Sequence, residues 1–243
     1  MHKESKGFRR FKSRVNYFQE DIETVEVILE NKETIKGRKT IFHKVDKTQH
    51  PKLFTRKNSR RSREVVLRHL LNTVFVSFIK DLYEEVLIYC AYATDCAAQS
   101  SPNANRLVGE QNYSFTANEI LSKRDKKEIV SAVIGKVFRG IENKKDTLLL
   151  VSALNDRLGL GVGKDTISGA MPFLEARHKF VHSDGIVDSK YKTDYPNMEL
   201  TDDNRIKLNS KIIKKASDAI VSLVTEYENA MTKNHLFPNE EYQ

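Results

Sequence analysis

Arg177 and His182 stand five positions apart near the end of a helical pattern, and His178 follows the arginine directly. Five residues make about 1.4 turns, so the two side chains reach broadly adjacent faces of a helix. A guanidinium offers a planar fork of N–H donors that suits a phosphate. An imidazole moves protons near neutral pH, and at a helix C-terminus the dipole favours its cationic form. These groups are enough for metal-free RNA cleavage. The 2′-hydroxyl is the nucleophile, the histidine assists proton transfer, and the arginine stabilises charge developing at phosphorus. One histidine is hard-pressed to serve both nucleophile and leaving group. A twofold dimer would supply two histidines and two arginines to one cleft. A structural role is open at the same positions: Arg177 can pair with Glu175, Asp184 or Asp188, and His182 can cap helix carbonyls.

Other segments carry weaker chemistry. Gly159–Thr166 (GLGVGKDT) has Gly163-Lys164 in the places a phosphate-binding loop requires. Leu158 stands where its first glycine belongs, and Asp165 where its hydroxyl belongs. A helix–helix turn is the reading there. His178 and His182, four apart, form half of a zinc site, but Lys179 replaces the zincin glutamate and no further ligands follow at usable spacing. No metal and no cofactor are expected. Cys90 and Cys96 do not build a disulfide framework or a CxxC motif. They read as small buried apolar residues. A basic run includes Arg56, Lys57, Arg60, Arg61 and Arg63. It can neutralise phosphates and position RNA without reading its sequence, or it can be a solvated face.

The elements around these residues are helical. Phe11, Val15, Phe18, Ile22, Val25 and Leu29 recur every three or four residues, predicting a first helix from Phe8 to about Ile35. Residues 37–58 read as a connecting arm, with a short strand at Thr40–Val45. Leu67, Leu71, Val74, Phe78, Leu82, Val86 and Tyr89 mark a long central helix from about Arg60 to Asp95. The stretch from Ala97 to Phe115 reads as loop. A helical turn at Ala117–Leu121 follows. Ser122–Asp125 reads as a capping box opening a helix to about Phe138. Further helices are expected at Asp146–Leu158, from Asp165 or Thr166 to His182, and at Lys207–Lys233. The fold class is therefore all-α. Residues 1–58 form an N-terminal helix and basic arm, and residues 59–236 a helical bundle with antiparallel neighbours across short loops.

The string Arg177-His-Lys-Phe-Val-His182-Ser-Asp-Gly-Ile-Val-Asp-Ser-Lys-Tyr191 resembles the extended R-x4–6-H motif of HEPN-domain ribonucleases. It is similar to the form found in bacterial members tied to phage defence and in RiboL-PSP-like nucleases. The close match covers about fifteen residues, and the helical frame from about 60 to 233 is consistent with it. The resemblance implies a HEPN-like bundle that dimerises into a composite, metal-independent endoribonuclease cleft. Products would carry 2′,3′-cyclic phosphate and 5′-hydroxyl ends. Arg177 and His182 carry over as the catalytic pair, and His178 as the polar residue that orients or assists. A defence or toxin role, with an antitoxin or regulatory partner, goes with that family. The family also includes members that bind RNA or protein without cleaving, which is the alternative.

Composition bounds the rest. Among 243 residues, 41 are Lys or Arg and 33 are Asp or Glu, giving a formal charge of +8. That excludes an acidic solvating protein and makes a polyanion such as RNA a reasonable partner. Hydrophobic residues are 39% and charged residues 30%, which favours amphipathic helices over buried parallel strands. The start MHKESKGFRRFKSR lacks the apolar core of a secretory signal. The longest charge-free apolar stretch, His69 to Ile79, is too short to span a bilayer. No membrane partner is expected, and the cytoplasm is the default compartment.

Overall fold

The computed structural model describes residues 4–30, 44–56, 59–100, 113–142 and 146–238. They form an all-α bundle. Its helices are α1 (Lys6–Glu30), α2 (Pro51–Phe54), α3 (Arg60–Ser100), α4 (Ala117–Leu121) and α5 (Lys126–Glu142). They continue with α6 (Thr147–Leu158), α7 (Lys164–His182), α8 (Ser189–Asp194) and α9 (Ser210–Lys233). Among the described residues β-pairing is limited to two isolated bridges, Ile186 with Arg205 and Leu200 with Ile206. The strand expected at Thr40–Val45 falls largely outside the described residues.

The 41-residue α3 is the axis of the bundle, about 60 Å long. It packs against α1, α5, α6, α7 and α9. Fifteen of its residues from Phe75 onward are buried, because apolar side chains there occur all round the helix. It runs to Ser100 rather than Asp95. Cys96, Ala97 and Ala98 are buried, so small side chains extend the packed surface where large ones stop.

Helix α1 is built into the same core through Phe8, Phe11, Val15 and Ile22. Phe8 meets Tyr89 and Phe18 meets Phe78, so α1 runs antiparallel to α3. Its contacts with α9 run the same way: the Ser5 amide donates to Glu228 and the Gln19 amide group to Ser217. Glu228 is buried and accepts three hydrogen bonds. They come from the Ser5 N–H at 2.7 Å, the Ser5 hydroxyl at 2.9 Å and the Tyr89 hydroxyl at 2.9 Å. This satisfied carboxylate ties the start of α1 to α3 and α9.

Helix ends follow from local side chains. The capping box lies at Thr116 and Glu119, opening α4. The one expected at Ser122–Asp125 does not form, because the Ser122 hydroxyl donates back to the Glu119 carbonyl. Asp125 caps α5 instead, accepting from the Glu128 amide at 2.9 Å. Asp146 caps α6, and Gly159, in the left-handed region at φ 62°, ends it.

Candidate functional site

Arg177, His178 and His182 occupy the last turns of α7. The helix is held by its neighbours on several sides. Ile167, Ala170, Met171 and Leu174 are buried, and the Tyr191 hydroxyl of α8 donates to the Pro172 carbonyl at 2.7 Å. The C-terminus is closed by backbone: the Ser183 and Gly185 amides both donate to the Lys179 carbonyl at 2.9 Å. Gly185 has φ 79°, and a Cβ there would lie 2.8 Å from the Phe180 ring. Glycine is required at this turn on both counts. His182 does not cap carbonyls. It is exposed, and its ring has no hydrogen-bond partner among the described residues.

The two histidine rings lie nearly parallel, with centroids 6.4 Å apart and 11° between planes. His178 is the inner one. Its Nε2 lies 3.2 Å from the Thr147 hydroxyl at the start of α6. Its ring meets Tyr83 of α3 edge-on at 5.7 Å. Burial pushes the His178 pKa below the ordinary imidazole value, and the Arg177, His182 and Lys179 charges act the same way against Glu175. His178 is therefore the deeper-set ring, in surroundings that favour its neutral form.

Arg177 is half-buried. Its Cζ lies 4.9 Å from the Tyr83 ring centroid, and its Nη2 donates to Glu84 at 3.0 Å. None of the acids expected from local spacing holds it. Asp184 pairs with Arg205. Asp188 pairs with Lys179 at 2.7 Å and caps α8 by accepting from the Tyr191 amide. Tyr83, Glu84 and Thr147 are the site residues that the sequence reading missed. A signal for the carboxylates exists: Glu84 and Glu85 follow the apolar stretch His69–Ile79 on the bundle's central helix, and a carboxylate buried there, as Glu85 is, needs cationic partners. Glu85 finds Arg10 at 3.0 Å and Arg14 at 3.4 Å on α1. Burial pushes the Tyr83 hydroxyl pKa up. Tyr83, Thr147, His178 and Arg177 thus form one connected set.

The basic run is not brought to this set within one chain. Arg60 to Arg63 precede Glu84 by more than twenty helical residues, about 30–36 Å along α3. Arg56, Arg60 and Arg61 are exposed, and Arg60 pairs with Glu64 at 2.8 Å. Arg63 is buried, at 6% exposure, so it is not part of a solvent-facing phosphate contact. Lys57 lies outside the described residues. Among the described residues no three or more His, Cys, Asp or Glu side chains gather as a metal-ion site. No helix among them is long and apolar enough to cross a membrane.

No family model, curated protein or solved structure matches this chain.

Proposed function

We propose that the protein is a metal-independent endoribonuclease of the HEPN type. The observation that carries the reading is the arrangement at the end of α7. An exposed imidazole, without a hydrogen-bond partner among the described residues, lies parallel to the His178 ring with centroids 6.4 Å apart, about 1.4 turns beyond a guanidinium with further N–H donors to offer. In this reading Arg177 binds the non-bridging oxygens of the scissile phosphate. His182 of one protomer takes the 2′-hydroxyl proton as the O2′–P bond forms. His182 of a second protomer gives a proton to O5′ as the P–O5′ bond breaks. His178 keeps the His182 ring oriented. The products are a 2′,3′-cyclic phosphate and a 5′-hydroxyl. The setting is cytoplasmic, as a defence or toxin effector restrained by a regulatory partner. The exposed Arg56, Arg60 and Arg61 add salt-sensitive RNA affinity.

The Arg177–Glu84 pair favours a second reading, an RNA- or protein-binding module that does not cleave. Purified protein incubated with mixed RNA in EDTA separates the two. Cleavage with cyclic-phosphate ends, lost in Arg177→Ala and His182→Ala, supports the enzyme. RNA retention without turnover supports the module. Cleavage at an undiminished rate in His182→Ala overturns the proposed site.

A further inference from the structure

Helix α1 carries its charges in two blocks. Residues 6–14 hold five basic side chains and no acidic one, while residues 15–30 hold five acidic side chains and no basic one. This order opposes the helix dipole, which favours acids at the start and bases at the end. It also leaves out the acid–base pairs four residues apart that support a solvated helix. The isolated helix gains nothing from the pattern.

The rest of the chain answers only part of it. Arg10 and Arg14 reach Glu85, Lys12 reaches Glu4, and Glu26 accepts from Ser210. Among the described residues, the Lys6 and Arg9 side chains have no ionic partner, and neither do Glu20, Asp21, Glu23 and Glu30. All six are exposed. Opposite the buried stripe of Phe8, Phe11, Val15 and Ile22, the outward face runs through Lys6, Ser13, Tyr17, Glu20, Thr24 and Val27. It carries two large exposed apolar groups, Tyr17 at 56% and Val27 at 67%.

We propose that this face pairs with the same face of a second copy, antiparallel, about a twofold axis level with residues 15 and 16. A helix that is basic in one half and acidic in the other is complementary to its own reversed copy, which is the requirement of an isologous interface. In this register Arg9 falls between Glu20 and Glu23 of the partner subunit, and Lys6 falls beside Glu23 of the partner subunit. The uncharged Ser13 and Asn16, with Tyr17, lie at the axis. A parallel pairing would set like charges against each other. The two helix dipoles are also opposed in the antiparallel pair. The surface differs from the Arg177 site: α1 meets α3 at Glu85 and Tyr89, whereas α7 meets it at Tyr83 and Glu84. Pairing through α1 does not by itself assemble the two α7 ends, so its failure and that of the nuclease reading are separable.

Sedimentation of the full chain tests it. At low ionic strength the mass is expected at twice 28.0 kDa, or at a multiple of that where the α7 ends also pair, falling as salt screens the α1 contacts. Arg9→Glu and Glu23→Arg are each expected to weaken the dimer by about tenfold or more. Lys6→Glu and Arg9→Glu with Glu20→Arg and Glu23→Arg in one chain recover most of the loss, because the exchanged set is again self-complementary. All positions are solvent-facing, so circular dichroism melts should match wild type. A monomer at low salt, an assembly indifferent to either reversal, or a fourfold exchange no better than the singles overturns the proposal. So does altered RNA retention at unchanged mass, which would assign the charges to nucleic acid.

Discussion

The Arg177 guanidinium is held 3.0 Å from the Glu84 carboxylate, across two helices and 93 positions of sequence. Glu84 is about half exposed, so the pair is worth about 0.2–1 kcal/mol. A phosphate competes for the same donor. Glu84→Gln is therefore expected to tighten RNA binding about two- to five-fold, read by fluorescence anisotropy. Weaker binding in that variant would mean that Glu84 holds the guanidinium in its working position.

His178 gives the fold a pH dependence of known sign. Burial lowers its pKa in the folded state, so the unfolded chain binds this proton more readily. Its contribution is fully present above the ordinary imidazole pKa of about 6.5 and is lost as pH falls through and below that value. Denaturant midpoints at pH 7.5 and 5.5 are expected to differ less in His178→Gln than in wild type. An unchanged difference would remove His178 as the cause.

Glu228 anchors the chain start from within the core. Glu228→Ala strands the Tyr89 hydroxyl and the two Ser5 donors, at a cost of about 1–3 kcal/mol for each group left unsatisfied and dry. Glu228→Gln retains an acceptor and should lose less. Urea titrations that rank the two variants the other way would show that the charge, not the bonding, is the costly feature.

The turn after His182 depends on Gly185. An alanine there meets an unfavourable positive φ and the Phe180 ring together, with an expected loss of about 1–3 kcal/mol. Thermal unfolding measures it. An unshifted midpoint would show that Phe180 yields and the turn relaxes at no cost.

Much of the architecture was readable from periodicity. The α3 stripe and the glycine stop at Gly159 follow from side-chain spacing and backbone freedom alone. Arg63 belongs to the basic run, yet it lies four residues before Leu67 on the same apolar stripe and is buried with it. Ser122 has the side chain of a helix start but finishes the preceding turn, a choice set by which backbone groups are already bonded. The site divides in the same way. Arg177, His178 and His182 share one helix and are legible as a local pattern. Tyr83, Glu84 and Thr147 meet them only through helix packing, which no local spacing encodes.

The long α3 is two materials in one rod. From Arg60 to Val74 only Arg63 and Leu67 are buried, while from Phe75 onward the helix is clad on nearly all sides. Amide protons along it should therefore exchange on a steep gradient, fast near Arg60 and at the global unfolding limit around Leu82. Tyr83 and Glu84, which grip Arg177, sit in the slow half. Breathing at the basic end would leave the grip on that arginine undisturbed.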